Sequence, residues 1–127
     1  MLGGRRVILR AAEGEIGDRL VIWRAEDDLE IGFVAYAVGI PDDGWLTIAE
    51  IELDEKHRGW GYGSEAVRLL EEEAHRVNGA RSFRADVEAS NGLGLYFWLR
   101  LGYRPATEEE AFWRSDADGG TISMVRV

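Results

Sequence analysis

The 127-residue sequence contains no cysteine, and this absence excludes several kinds of chemistry. Without thiols the chain forms neither a disulfide framework nor a thiolate metal site, and it has no cysteine nucleophile. Proline is scarce too, since only Pro41 and Pro105 occur, both at the ends of predicted elements. No stretch approaches roughly 18 consecutive apolar residues. We therefore predict neither a signal peptide nor a membrane span, and we expect a cytoplasmic protein.

Positive charge is also in short supply, because 15 Lys and Arg residues stand against 24 Asp and Glu residues, a net charge of −9. Such a chain repels the phosphates of nucleic acid, so we expect no nucleic-acid partner. The charge favours cationic small molecules or basic peptides as partners, but it is equally typical of a surface that keeps a protein soluble. His57 and His75 lie far apart with no metal-ligand spacing around them, so we predict no metal site.

The N-terminal half has the pattern of a run of β-strands. A hydrophobic fraction of 46% with five Trp residues predicts one packed domain over residues 1–127. Segments rich in β-branched, aromatic or alternating apolar residues predict four strands. They are 7–10, 19–24, 31–40 and 45–53. In the fourth strand, simple alternation places Leu46, Ile48, Glu50 and Glu52 on one face of the sheet.

The period of the apolar residues changes after the fourth strand. A spacing of three and four residues predicts an amphipathic helix over 64–77, with Ser64 as N-cap and Gly79 as its stop. The apolar face of this helix comprises Ala66, Val67, Leu70, Ala74 and Val77.

Further elements follow this helix. A strand over 82–87 precedes a second helix that runs from Asn91 through Leu101 and is closed by Gly102. The tail supplies a strand near Phe112 and a last strand over 122–127. The order β-β-β-β-α-β-α-β-β predicts an α/β (α+β) domain with a mixed, mostly antiparallel sheet and one crossover helix.

The segment HRGWGYGSEA, residues 57–66, places three glycines in five positions just before the first helix. Such a turn exposes backbone N–H groups, and the helix N-terminus adds partial positive charge, so the place suits a phosphate group. The P-loop pattern fails because Gly63 is followed by Ser64 rather than by Lys. Gly59, Gly61 and Ser64 nearly meet the dinucleotide fingerprint, but two helices cannot supply its doubly wound sheet. The alternative interpretation, a tight turn that binds no ligand, is not excluded by these patterns.

Two motifs resemble the GNAT superfamily of acetyl-CoA-dependent N-acetyltransferases. RGWGYG fits [Gln/Arg]-x-x-Gly-x-[Gly/Ala], within IELDEKHRGWGYGSEA. NGLGLYFWLRLGY resembles the second motif, an Asn followed by a helix closing in Gly-[Phe/Tyr]. The resemblance covers about residues 45–103 and implies a GNAT-like sheet of six to seven strands. GYGSEAVRLLEEEA and LGGRRVILR look most like the branch that acetylates protein N-termini, including those of ribosomal proteins.

The resemblance implies how the chain would bind its cosubstrate, acetyl-CoA. Loop amides would cradle the pyrophosphate of coenzyme A beside Arg58, and pantetheine would insert between the splayed strands 45–53 and 82–87. The cofactor-binding residues that it implies are Ile51, Leu53, Arg58, Gly59, Gly61, Tyr62, Gly63, Ser64 and Asn91.

The resemblance also implies direct attack by a primary amine in a ternary complex. The backbone N–H of Leu53 would polarise the thioester carbonyl and stabilise the oxyanion. Glu50 is the preferred base for the amine proton and Glu52 the second candidate, with solvent exposure as the plain alternative for both. Histidine is a residue type that can act as a base near neutral pH, but the loop position of His57 predicts a surface residue.

One departure from the family pattern concerns the general acid. Seven residues after Asn91 the family often has a Tyr, whereas this sequence has Trp98, which cannot donate an acidic proton. Tyr96 lies about 200° away around the helix, and we expect its ring to pack in the core. Either the thiolate leaves unaided, or Tyr103 or Tyr62 serves instead.

A second departure lies at the front of the chain. Only AAEGEIGD separates the first two strands, too short for one good helix, so we expect the family's two N-terminal helices to be missing. The acceptor site is then open to a protein or peptide, or a second subunit completes it, and the exposed face suggests a homodimer. We conclude that the chain is an N-acetyltransferase for a small-molecule amine or a peptide N-terminus. The alternative is an acyl-CoA-binding regulatory or scaffold protein with little or no turnover.

Overall fold

The computed structural model describes residues 2–11, 18–111 and 120–127. They form one eight-stranded sheet and two α-helices. The strands are β1 (Leu2–Gly3), β2 (Val7–Ala11), β3 (Arg19–Arg24), β4 (Leu29–Val38), β5 (Trp45–Leu53), β6 (Ser82–Glu88), β7 (Arg104–Pro105) and β8 (Thr121–Arg126). The helices are α1 (Tyr62–Asn78) and α2 (Gly92–Arg100). The predicted α+β architecture is confirmed.

The sheet is mixed, with the order β1-β2-β3-β4-β5-β6-β8-β7. The first five strands form an antiparallel meander. Helix α1 then carries the chain over the sheet, so that β6 pairs parallel to β5. Eight strands replace the six to seven expected, because β1 and β7 have only two residues each and carry no periodic signal.

Glycine and asparagine fix the ends of the helices. The N-cap of α1 is Gly61 rather than the predicted Ser64, and its left-handed φ of 85° lets the helix begin earlier. Gly79, with φ 70°, ends α1 as predicted, and its N–H donates to the His75 carbonyl (3.0 Å). At α2 the side chain of Asn91 accepts a hydrogen bond from the Gly94 N–H (2.9 Å), which confirms the predicted cap.

The buried face of α1 differs from its predicted face at two positions. Its small and branched apolar residues pack against the sheet as expected, but Val77 in the last turn is 58% exposed. Glu71, which is not part of the predicted apolar face, is only 3% exposed. Its carboxylate accepts hydrogen bonds from Arg68 (2.8 Å), Arg126 (2.7 Å) and the Tyr103 hydroxyl, and these partners make the burial of the charge possible.

Two expectations concern parts of the chain outside the described residues. The strand near Phe112 lies there, and so does most of the segment between β2 and β3, in which we expected no helix. Among the helices that the structure describes, none is long and apolar enough to span a membrane.

Candidate active site

The parallel strands β5 and β6 diverge halfway along their length. Their pairing runs from Trp45 and Ser82 to Ile48 and Ala85, and it stops there. A cavity of about 650 Å³ opens between the diverging ends. The glycine-rich segment 58–64, called the glycine loop below, and helix α2 close its other sides. The walls comprise Ile48, Ala49, Glu50, Ile51, Glu52, Leu53, Arg58, Gly63, Ala85, Asp86, Val87, Glu88, Asn91, Leu93, Gly94, Phe97 and Trp98.

A β-bulge in β5 lies at the start of this divergence. Glu50 pairs with Ala35 and Ile48 with Tyr36, so Ala49 is an extra residue without a partner on β4. The extra residue reverses the phase of the strand. The predicted alternation is therefore wrong beyond Ile48, because Glu50 does not continue the buried face that contains Ile48.

Beyond the bulge, β5 presents a free backbone edge to the cavity. The Asp54 N–H donates to the Ile31 carbonyl of β4 (2.8 Å). Successive N–H groups alternate in direction along a strand, so those of Leu53 and Ile51 point away from β4. They point to the side on which β6 has ceased to pair. The apolar side chains of Ile51 and Leu53 pack against the core.

The glycine loop offers a row of backbone donors next to this edge. Gly59 and Gly61 have left-handed φ values of 82° and 85°, a conformation that glycine adopts without strain. In the described part of the chain, no acceptor receives a hydrogen bond from the backbone N–H of Gly59, Gly61, Gly63 or Ser64. The guanidinium of Arg58 reaches back across the loop and donates through Nε to the Leu53 carbonyl (2.9 Å).

The structure brings together most of the residues predicted for the site, though not all of them. Six predicted residues line the cavity, namely Glu50, Ile51, Leu53, Arg58, Gly63 and Asn91. The other four belong to the loop and the start of α1 and do not line the cavity, namely Gly59, Gly61, Tyr62 and Ser64. Phe97 was missed, although it packs closely against Gly63, with 3.3 Å between its ring and the position of a Cβ there.

The polar wall of the cavity is acidic. Glu50, Glu52 and Glu88 are exposed and form no ion pair with any residue in the described ranges. Asp86, by contrast, is held by Arg84, whose Nη2 lies 2.6 Å from its carboxylate. Arg58 is the one positively charged side chain in the described lining. The wall therefore favours a cationic group over an anionic one.

Trp98 occupies the position at which the family often has a tyrosine. Its ring is 5% exposed and packs between Phe97 and Tyr103, at centroid distances of 5.0 and 4.7 Å. Tyr96 does not pack in the core, contrary to our expectation, because it lies on the outer face of α2 and is 59% exposed. Neither aromatic residue can act as an acid in this cavity: Trp98 has no acidic proton, and Tyr96 does not line the walls.

The two other candidate acids lie elsewhere. Tyr103 is buried and donates to Glu71, and burial together with that carboxylate raises the pKa of its phenol far above the ordinary value. The ring of Tyr62 lies under the guanidinium of Arg6, 5.2 Å away. Because neither residue lines the cavity, neither is placed to protonate a leaving group there.

His57 is buried rather than exposed, so the prediction of a surface residue is wrong. It ends a short 3₁₀ turn (Glu55–His57) that folds its ring inward, leaving the residue 6% exposed. Its Nδ1 lies 3.9 Å from a carboxylate oxygen of Asp54 and has no hydrogen-bond partner among the described residues. His57 does not line the cavity, and no metal-ligating group of three or more side chains occurs in the described ranges.

The sequence model of a family described as "Acetyltransferase (GNAT) family" matches residues 6–103, which contain the whole cavity. The chain belongs to the GNAT acetyltransferase family. This match confirms the family resemblance, and the mixed sheet with its two helices is the GNAT-like fold. No curated protein matches the sequence.

Solved structures with a similar fold include three acetyltransferases. One from Thermus thermophilus has a TM-score of 0.65 at 22% identity, with 85% of this chain and 62% of that chain covered. PaiA N-acetyltransferase from Thermoplasma acidophilum, in complex with coenzyme A, has a TM-score of 0.64 at 18% identity, with 85% of this chain and 58% of that chain covered. Arabidopsis thaliana Naa50, in complex with the bisubstrate analogue CoA-Ac-MVNAL, has a TM-score of 0.64 at 12% identity, with 86% of this chain and 72% of that chain covered. The chain thus spans less than two thirds of the length of the first two.

Proposed function

We propose that the protein transfers an acetyl group from acetyl-CoA to a primary amine, by direct attack in a ternary complex. The observation that carries this proposal is the row of backbone amides at Gly59, Gly61, Gly63 and Ser64, which have no acceptor among the described residues and lie beside a cavity with a free strand edge. Backbone donors at a helix N-terminus suit a pyrophosphate, and a free edge suits an amide-containing chain lying alongside it as an extra strand. Coenzyme A contains both groups, so the residues present fit it.

Each part of the site has a task under this proposal. The loop amides and Arg58 hold the pyrophosphate, while the backbone of Ile51 and Leu53 holds the pantetheine arm. Tyr62 and Asn91 complete the cofactor site, and Asn91 also caps α2. When bound, acetyl-CoA supplies an activated thioester.

The same edge of β5 carries the proposed chemistry. The N–H of Leu53 points into the cavity and can donate a hydrogen bond to developing negative charge on an acyl oxygen. Glu50 is exposed in the cavity wall and can take the proton of the attacking amine, with Glu52 as the second candidate.

We infer that the acceptor is a cationic amine, either a small molecule or a peptide N-terminus. Three carboxylates that form no ion pair within the described residues, Glu50, Glu52 and Glu88, line the cavity, and the sequence has a net charge of −9. The similarity in fold to Naa50, solved with a peptide-containing bisubstrate analogue, supports a peptide acceptor and the branch that acetylates protein N-termini. A homodimer in which a second subunit walls the acceptor site is part of the proposal. A monomeric mass at high concentration would remove that part.

Calorimetric titration with acetyl-CoA tests the binding step, using a matched pair of charge reversals in one loop. Arg58→Glu places a carboxylate in the cavity wall, whereas Lys56→Glu makes the same change two residues away, outside the cavity. We expect the wild-type protein to bind, Arg58→Glu to lose at least about tenfold in affinity, and Lys56→Glu to lose less than about threefold. Absence of wild-type binding, or equal losses in the two variants, would contradict the proposed cofactor site.

The alternative function, an acyl-CoA-binding regulatory or scaffold protein with little turnover, has one specific observation in its favour. Trp98 fills the usual position of the acid, and neither Tyr62 nor Tyr103 lines the cavity. Release of the coenzyme A thiol across a panel of monoamines, diamines and peptides separates the two functions. Turnover with any of these amines supports the enzyme, while tight binding of acetyl-CoA without turnover supports the alternative.

A further inference from the structure

A side chain from the N-terminal part of the chain reaches the glycine loop. The guanidinium of Arg6 donates through Nη1 to the carbonyl oxygen of Trp60 (2.7 Å), 54 residues later. Its Nη2 lies 2.8 Å from the position that a Cβ of Gly61 would occupy. The same guanidinium lies over the ring of Tyr62, 5.2 Å from its centroid. The loop is thus held from one side by a residue that precedes β2.

This contact fixes the orientation of one peptide unit. The carbonyl of Trp60 and the N–H of Gly61 belong to the same planar unit, which is trans, so the two groups point in opposite directions. While Arg6 holds the carbonyl, the N–H of Gly61 is directed away from Arg6. A charged donor on the carbonyl also polarises the unit and strengthens the N–H as a donor.

We propose that Arg6 is a positioning residue for the coenzyme A loop, one that aims the Gly61 N–H at the bound pyrophosphate. This inference rests on the proposed function, since it assumes that the loop holds a pyrophosphate. Gly61 needs such a restraint because glycine with a φ of 85° has no side chain to hold its conformation. The Arg6 side chain fills the space beside Gly61 and restrains the backbone conformation that a side chain on residue 61 would otherwise restrict.

The Arg6 side chain supplies only part of the anchoring of the N-terminal strand, through one ion pair in which its Nε donates to Oε1 of Glu65 (3.2 Å). Glu65, in the first part of α1, accepts hydrogen bonds at Oε2 from the backbone N–H groups of Arg6 (2.6 Å) and Val7 (2.8 Å). Both are backbone donors and remain when the side chain at residue 6 is changed. The Arg6 side chain itself is 46% exposed. Arg6→Ala loses the ion pair with Glu65 but keeps both backbone hydrogen bonds, so we expect it to fold, with the loop released and the strand still anchored.

The test compares two probes that differ in the pyrophosphate. Coenzyme A contains it, whereas pantetheine carries only the arm that would lie along β5. For Arg6→Ala we expect about a tenfold loss of coenzyme A affinity by calorimetry, with pantetheine binding changed less than about twofold. Arg5→Ala, an exposed neighbour with the same change of charge, should leave both unchanged, and Arg6→Lys, which can still donate to the Trp60 carbonyl, should recover part of the loss.

Salt and amide signals separate positioning from simple charge attraction. At about 1 M salt, where charges are screened beyond about 3 Å, a loss caused by misplacing the Gly61 N–H should persist. The amide resonance of Gly61 should also move in Arg6→Ala before any ligand is added, and not in Arg5→Ala. The inference is overturned if both probes weaken equally, if Arg6→Ala binds coenzyme A like the wild type, or if the loss vanishes in high salt. If wild-type protein binds no coenzyme A, the proposed function itself fails.

Discussion

Replacing Glu71 by Gln should destabilise the fold far more than the same change at its neighbour Glu72. The Glu71 carboxylate is 3% exposed and accepts hydrogen bonds from Arg68, Arg126 and the Tyr103 hydroxyl, whereas Glu72 is exposed and forms no ion pair in the described part of the chain. An amide cannot accept from all three donors, because one of its two polar atoms is itself a donor.

The size of the stability loss in Glu71→Gln follows from how exposed these three partners are. Hydrogen bonds to a charged group contribute about 1.5–3 kcal/mol each, and a buried unpaired hydroxyl costs about 1–3 kcal/mol. The side chains of Arg68 and Arg126 are 42% and 37% exposed, so water replaces part of what they lose. The hydroxyl of Tyr103, which is only 1% exposed, can accept from the new amide but then leaves its own hydrogen without an acceptor. We expect Glu71→Gln to cost about 2–3 kcal/mol in free energy of unfolding, and Glu72→Gln less than about 0.5 kcal/mol.

Urea unfolding followed by tryptophan fluorescence measures both variants, because Trp98 lies 4.7 Å from the Tyr103 ring and reports on this part of the core. Tyr103→Phe supplies the second arm of a double-mutant cycle. Since Glu71 and Tyr103 share one hydrogen bond, the double variant should be more stable than the sum of the single losses predicts, by at least about 0.5 kcal/mol. Equal costs for Glu71→Gln and Glu72→Gln, or additive costs in the cycle, would refute the reasoning.

Two further predictions concern stability. A Cβ at Gly32 would overlap the backbone carbonyl of Glu52, so Gly32→Ala should lower the free energy of unfolding by at least about 2 kcal/mol, whereas Gly3→Ala, with open space around it, should be neutral by the same urea titration. Hydrogen bonds from Arg104 lower the pKa of Glu110 to about 2. The contribution of the Glu110 carboxylate to the stability of the fold is therefore fully present above its unfolded pKa of about 4.3 and is lost as the pH falls toward 2. The Tm difference between wild type and Glu110→Gln should therefore shrink between pH 5 and 2, and a constant difference would contradict this assignment.

The sequence predicted the fold well where local periodicity and burial agree. Strands β3 and β5 have their predicted bounds, because β-branched and aromatic residues there also line the core. The caps at Gly79 and Asn91 were predictable from residue type alone, since each acts within its own turn. The prediction of Ser64 as the N-cap of α1 was wrong because Gly61 adopts the left-handed conformation and the helix already begins at Tyr62.

Long-range contacts account for what could not be predicted. The charge of Glu71 predicts a polar-face residue, and its burial depends on Arg68 together with the distant partners Arg126 and Tyr103, which offset the cost of burying the carboxylate. The contact between Arg6 and the Trp60 carbonyl likewise joins residues with no shared motif. The bulge at Ala49 changes the phase of β5 without any glycine or proline to indicate it.

The candidate site divides into a part made of backbone and a part made of side chains, and the sequence is informative about them to different degrees. The free edge at Ile51 and Leu53 and the loop amides depend on the path of the chain, which glycines and a strand–loop–helix order specify. Many different side chains are compatible with that path, so a chain that has the family motif can present the same backbone donors to coenzyme A. A general acid depends on one side chain at one position, and here that position holds Trp98. The same resemblance therefore supports coenzyme A binding more strongly than it supports turnover, which is why binding and turnover need separate measurements.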